Sequence, residues 1–450
     1  MNIDMTVGKP SKVLWRFTLP LLISVAFQQF YNMADSIIAG NFIADGESAV
    51  AAIGASYPIT MLFMAFAVGC NSGCSVIVSN LFGSHKFGRL RTAIYTSLVS
   101  SAVLSVLLAA VGAIFSGELL GALNTPENVF ADAKSYLDIY VYGVPFLFLY
   151  NICNGIFAAL GDSKTPLWFL IGSSVGNVIL DIAAVVCLDM GVPGVAWATF
   201  AAQGIAAILA FIALCRRVKN MEHDGEKARV YSREMLRKIS VIAIPSILQQ
   251  CFISVGNLFI QWLINDYGSS AMAGYSSAIK LNTFIITCIV TMSNGLSSYT
   301  AQNIGAAKHD RVTSGFRTSL IISAAVAIPV TLLYLVFGSQ LVNLFVNNPD
   351  GNAVAIGYHF LTIISPFYFA VSVKLSCDAV LKGAGTIVYF VITTFTDLIL
   401  RVVLAFVFSG PLGMGLDGIW WSWPIGWGIS SALSVFFYAS GMWKKHIPAI

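Results

Sequence analysis

Seven ionisable side chains fall inside runs of apolar sequence: Asp35, Asp181, Lys280, Lys374, Asp378, Asp397 and Arg401. Charge in such surroundings is costly to desolvate, so each needs a partner or a task. Two of the acids have neutral oxygen donors within reach. Asn177 precedes Asp181 by four residues, which puts both side chains on one face of a helix. Counting about 1.5 Å per residue along each run places Asp35, Asp181 and Thr199 at a similar depth, in the outer half of a bilayer. Two carboxylates, an amide and a hydroxyl so gathered suit a small hard cation such as Na⁺, which prefers oxygen ligands. They suit a shared proton equally, because two adjacent buried carboxylates resist being charged together. A polar network that simply locks three helices together is the plainer alternative.

The elements that must position these residues follow from composition. Of 450 residues, 57% are hydrophobic and 10% charged, too much apolar surface for a soluble domain to hide. The apolar residues arrive in runs long enough to cross roughly 30 Å of hydrocarbon, without the alternation that a transmembrane barrel requires. We expect an all-α integral membrane protein with twelve transmembrane helices, at about 13–41, 50–80, 88–116, 129–157, 163–187, 192–215, 233–265, 271–303, 311–340, 352–382, 386–409 and 414–442. Lys and Arg collect on the side that holds both ends of the chain and the even-to-odd loops, Lys134 being the one basic residue near the other side. Both termini are therefore expected in the cytoplasm, and the net charge of +4 reads as topology rather than a nucleic-acid footprint. The first run should remain as an anchor, and the cysteines, mostly inside spans, read as small apolar residues without a disulfide framework.

The chain repeats itself. Displaced by 222 positions, Gly46, Ala49, Gly73, Gly83 and Arg89 fall on Gly268, Ala271, Gly295, Gly305 and Arg311. Displaced by 224, Gly161, Gly191, Gly194 and Trp197 fall on Gly385, Gly415, Gly418 and Trp421. A duplicated six-span unit enters and leaves on one side, so two six-helix lobes related by a pseudo-two-fold axis along the membrane normal are expected. The boundaries are 1–215 for the N-terminal lobe, 216–232 for a polar, mobile cytoplasmic linker and 233–450 for the C-terminal lobe.

The repeat also separates the two copies chemically. Asp35, Asn177, Asp181 and Thr199 correspond to Asn257, Arg401, Ala405 and Trp423, so the second copy lacks both carboxylates and carries a cation instead. Asp397 with Arg401, and Lys374 with Asp378, have the spacing of helical ion pairs. Pro20 and Pro245 each remove a helical hydrogen bond and are hinge candidates. Tyr31, Gln28, Asn71, Asn257, Lys280 and Asn294 are candidates for a substrate cavity that would hold a planar organic cation.

The run Gln28-Gln-Phe-Tyr-Asn-Met-Ala-Asp-Ser-Ile-Ile-Ala-Gly40, the stretch Gly46–Ala52 and the loop Leu160-Gly-Asp-Ser-Lys-Thr-Pro166 resemble the multidrug and toxic compound extrusion (MATE) transporters. The likeness spans nearly the whole chain and is greatest for the bacterial DNA-damage-inducible-type branch. It implies a secondary antiporter that exports organic, often cationic compounds against inward H⁺ or Na⁺, with no cofactor. Asp35, Asn177, Asp181 and Thr199 match that branch's N-lobe cation site. The acidic pair that another branch carries in its C-lobe is not evident, since the seventh span offers Gln249 and Gln250 but no Glu. The expected setting is the cell membrane of a bacterium, with a small organic substrate and the lipid bilayer as partners, no nucleic acid, and a monomer as the working form. An ATP-driven pump would need a phosphate loop, and Gly161–Thr165 lacks its second glycine. Scattered histidines argue against an enzyme. A flippase for lipids or lipid-linked oligosaccharides is the alternative, disfavoured because it needs a strongly cationic cavity and Arg401 has a candidate acid four residues away.

Overall fold

Each apolar run of the sequence becomes a helix in the computed structural model, which describes residues 4–43, 46–123, 125–222, 224–345 and 351–445. In chain order these are α1 (Pro10–Phe42), α2 (Gly46–Gly83), α3 (Phe87–Ala122), α4 (Glu127–Ala159), α5 (Lys164–Ile182) and α6 (Gly191–Lys219). The second set is α7 (Arg233–Asn265), α8 (Ser269–Gly305), α9 (His309–Asn343), α10 (Gly351–Ile364), α11 (Tyr368–Gly383), α12 (Ile387–Ser409) and α13 (Gly415–Ala439), closed by the short α14 (Met442–Lys445). Ten spans are long and apolar enough to cross a membrane among the described residues, α10 and α11 counting as one. With α1 and α13, of 33 and 25 residues, they make the expected twelve.

The tenth span departs from the expectation of one continuous helix. A 3₁₀ turn at Ser365–Phe367 separates α10 from α11. Pro366 has no N–H to continue the ladder and its ring crowds the preceding turn. The Ser365 carbonyl is satisfied from outside its own helix, accepting a 2.8 Å hydrogen bond from Thr331 Oγ1 of α9. Proline does not break every helix: α1 and α7 run unbroken through Pro20 and Pro245.

The duplication seen in the sequence recurs in the backbone. His85 and Ala307, 222 positions apart, both adopt φ of 56°. Gly161 and Gly385, 224 apart, adopt 75° and 76°. These left-handed residues end α2 and α8, and α4 and α11. Each pair closes its turn with the same hydrogen bonds, for example Lys86 N to Leu81 O and Lys308 N to Asn303 O.

Contacts divide the chain into a first unit of Met1–Asp4 with Leu19–Gln250 and a second of Met5–Thr18 with Cys251–Ile450. The breaks thus fall inside α1 and α7 rather than in 216–232. Glycine makes these attachments possible. In the first unit a Cβ on Gly73 of α2 would come within 2.6 Å of the Ile239 carbonyl of α7. In the second a Cβ on Gly295 of α8 would come within 2.9 Å of Thr18 Cγ2 and 3.5 Å of the Phe17 ring of α1. Phe17 and Ile239 are themselves 222 positions apart, as are Gly73 and Gly295. Gly69 and Gly73, four residues apart, let the α2 and α7 backbones touch, the small-residue packing of membrane helices.

Segments leading into α1 and α7 carry hydrogen bonds to the helices beside them. In the second unit Arg311 donates to Gly8 O at 2.7 Å and Met5 O at 3.1 Å, and Lys308 donates to Thr6 O at 3.0 Å. In the first, the Asp224 carboxylate accepts from Gly88 N at 2.9 and 3.1 Å, at the positive end of α3. Arg91 donates to Met221 O at 2.7 Å, and the Arg229 and Ser232 amides donate to Thr92 and Thr96 hydroxyls at 3.0 and 3.1 Å.

The Gly88 amide holds the Asp224 carboxyl below its ordinary range. A group depressed on folding adds stability above its unfolded value, about pH 4, and loses it as pH falls through the folded one. Amide exchange at Gly88, corrected for intrinsic rates, should therefore be slow at neutral pH and accelerate in acid. Asp224→Ala should make it fast throughout.

Candidate functional site

α5 owes its start to Asp162, whose carboxylate accepts from the amides of Lys164 and Thr165 at 3.2 and 3.1 Å and from Thr165 Oγ1 at 2.7 Å. These bonds satisfy donors that the first helical turn leaves orphaned. In the last turn and a half of α5 lie Asn177 and, one residue from the end, Asp181, 2% and 0% exposed. The ladder then widens into a π turn at Ala183–Cys187, immediately beyond Asp181. Such turns insert a residue into the helix and are frequent at functional sites. Thr199 lies half-buried on α6, beside a T-shaped pairing of Trp197 with Phe200 at 5.3 Å.

An apolar cluster shows how these helices meet. Ile38 of α1, Val185 of the π turn and Val195 of α6 are buried together, with Ile43, Ile53, Tyr136 and Val178 packed against them. Ile38 is three residues beyond Asp35, Val185 four beyond Asp181 and Val195 four before Thr199. One helical turn from Asp35, Asp181 and Thr199, the three helices close on one apolar seal. The Asp35 and Tyr31 side chains lie outside the described residues, although their backbone is part of α1. A groove of about 240 Å³ between α5 and α6, lined by Trp168, Gly172, Gly176, Leu180, Ile205 and Leu209, carries no charge and lies apart from this cluster.

Of the cavity candidates, Gln28, Asn257 and Asn294 are exposed, and Asn71 is half-buried with its amide against Gly155 of α4. Lys280 is exposed and its ammonium lies 5.6 Å from the Phe345 ring centroid rather than beside an acid.

The charges of the second unit form a buried network. Lys374 Nζ lies 3.0 Å from Asp378 Oδ2 and 3.8 Å from Asp397 Oδ2, with the Lys374 and Asp378 side chains 4% and 3% exposed. Asp378 Oδ1 accepts from Thr393 and Ser434 hydroxyls, each at 2.8 Å. The pair Lys374–Asp378 was legible from its spacing. Asp397 with Arg401 was not a pair: among the described residues no ion pair joins them. Lys374 from α11 takes the Asp397 carboxylate, and the Arg401 guanidinium stacks 4.5 Å from the Trp423 ring centroid. Nothing in the sequence pointed to Thr393 or Ser434, and the repeat matched Trp423 to Thr199 without showing that it meets Arg401, because these contacts cross between helices.

A duplicated chain, helical among the described residues and with ionisable groups buried inside its spans, has the make-up of a membrane transporter. The model of the MatE family matches residues 20–183 and again 245–407, and the chain belongs to that family. It is 28% identical to a probable multidrug resistance protein, YoeA, of Bacillus subtilis, over 97% of this chain and 96% of the relative. It is 23% identical to a FAD transporter of Shewanella oneidensis, over 91% and 89%. A solved outward-facing multidrug resistance MATE transporter of the MOP superfamily aligns with a TM-score of 0.89, at 22% identity and 99% coverage of both chains.

Proposed function

We propose that this membrane transporter is an antiporter that exports organic, often cationic, drug-like compounds in exchange for inward H⁺ or Na⁺. Coupling occurs in the first unit, at Asp35, Asn177, Asp181 and Thr199, with both termini in the cytoplasm of a bacterium. The observation that carries the reading is the full burial of Asp181 beside Asn177 on one face of α5, one turn below the apolar seal. A carboxylate so placed must be neutralised by a proton, a metal ion or a donor cluster. The seal stops water from one end, so the ion leaves by the other once the helices part. The names of the relatives support drug-like cargo.

Pro20 and Pro245 are the hinges of this proposal. The contact boundary in α1 falls at Thr18–Leu19, next to Pro20, and that in α7 at Gln250–Cys251, just over one turn past Pro245.

The lipid-linked flippase gains one point, since Arg401 has no acid within ion-pair distance among the described residues. Against it stands Lys374, whose charge is already taken up by two carboxylates.

The test is efflux of a fluorescent organic cation from proteoliposomes, with Na⁺ and pH gradients imposed independently, for wild type and Asp35→Asn. Export driven by one gradient and lost in the variant is expected. Export indifferent to both gradients rejects antiport, and an unchanged variant rejects the site.

A further inference from the structure

The groove between α5 and α6 lies within the first unit, and the chain reverses between the two helices, so the start of α5 and the end of α6 share one end. On α5 it is lined by Trp168, Gly172, Gly176 and Leu180, spaced by four along one face. One turn before Trp168 on that face stands Lys164. On α6, Ile205 and Leu209 line the groove, and their face continues through Ile212 to Arg216. An uncharged groove thus ends in two cations. Both are exposed, and among the described residues no carboxylate lies within ion-pair distance of either.

Glycine keeps the groove open. A Cβ on Gly172 or Gly176 would meet nothing within 4 Å, whereas at Gly69 and Gly73 a neighbouring backbone fills the space. Glycine inside a helix costs about 1 kcal/mol relative to alanine, and no neighbouring helix uses the room it leaves here. Val175, Ile179, Ile208 and Ile212 are exposed beside the groove, so this face of the unit meets lipid. From Trp168 to Leu180 is about 18 Å of helix, close to one leaflet of a roughly 30 Å hydrocarbon core.

We propose that this groove binds one anionic glycerophospholipid, an acyl chain lying along Gly172 and Gly176 and the phosphate between Lys164 and Arg216. Exposed Trp168 sits at the headgroup level, as tryptophans at membrane interfaces do. Two cations at one end of an apolar groove complement a molecule with an anion at one end of a chain. In the proposed topology that end faces the cytoplasmic leaflet, where anionic lipids attract Lys and Arg. The site concerns binding alone and stands without the antiport reading.

Purified protein in detergent is titrated separately with phosphatidylglycerol, phosphatidylcholine and inorganic phosphate, bound lipid being counted by native mass spectrometry and thermal stability read alongside. One phosphatidylglycerol should bind saturably and in preference to phosphatidylcholine, with no stabilisation by inorganic phosphate. Each cation should favour the anionic headgroup about fivefold, so Lys164→Gln with Arg216→Gln should lower the preference about 20-fold. Gly172→Leu, whose side chain enters the groove, should weaken binding of both lipids. The double variant alters only exposed side chains and keeps the test valid if Gly172→Leu does not fold. Equal binding of the two lipids by wild type, an unchanged preference in the double variant, or undiminished binding in folded Gly172→Leu overturns the proposal. An equal stabilisation by inorganic phosphate overturns it too, since the cations would then bind phosphate without a tail.

Discussion

Asp181→Asn should reduce gradient-driven export to the level of empty liposomes while leaving the protein folded. Asparagine keeps the size of the side chain and removes the charge, and a neutral group is easier to bury than a carboxylate at 0% exposure. Loss of function therefore cannot be blamed on desolvation. The apolar seal of Ile38, Val185 and Val195 one turn away is untouched. What the variant loses is the ability to gain and release a cation, and with it any dependence of substrate affinity on Na⁺ or pH. The check is a pair of measurements on one preparation: export under each gradient, and equilibrium binding of the same dye across the pH and Na⁺ ranges. Ion-independent binding with no export is the expected signature. A variant that still exports, with its ion dependence intact, would show Asp181 to be a structural member of a helix-locking network.

Lys374→Met should be the most destabilising single change in the second unit. It leaves the buried Asp378 and the half-buried Asp397 without their shared ammonium, and removing one partner of a buried ion pair typically costs about 3–5 kcal/mol. Thr393→Val removes one of the hydroxyls on Asp378 Oδ1 and should cost less, about 1–3 kcal/mol, because Lys374 and Ser434 remain. Denaturation in detergent, read by circular dichroism, orders the variants. Pairing Lys374→Met with Asp378→Leu should recover part of the loss, since no charge is then stranded at that pair. If Lys374→Met proves as stable as Thr393→Val, the ammonium is not what holds the two carboxylates.

These two residues mark how differently the two units could be read in advance. Asp181 was singled out because a carboxylate in an apolar run is costly, and Asn177 because four residues bring it to the same face. Lys374 and Asp378 share that second property and do meet. Asp397 and Arg401 share it too and do not, because each found a better partner on another helix: the Lys374 ammonium and the Trp423 ring. Spacing along one helix states which pairs are possible; competition from neighbouring helices decides among them.

Local and repeated features were determined by the sequence itself. Apolar run length fixed the spans, since a backbone in hydrocarbon has few alternatives to a helix. Glycines at matching positions disclosed the duplication, which the paired φ angles of Gly161 and Gly385 carry into the backbone. Tertiary structure alone decided how the units divide, with Phe17 seated on Gly295 and Ile239 on Gly73, and pinned the polar linker through Asp224 and Arg91. It also set an apolar seal one turn from Asp35, Asp181 and Thr199 and left Arg401 stacked on Trp423 with its Nε lacking an acceptor. Helix formation depends on residues a turn apart, and a single chain displays those. Contacts between spans depend on which faces come together, and residues hundreds of positions apart decide that only when they pack.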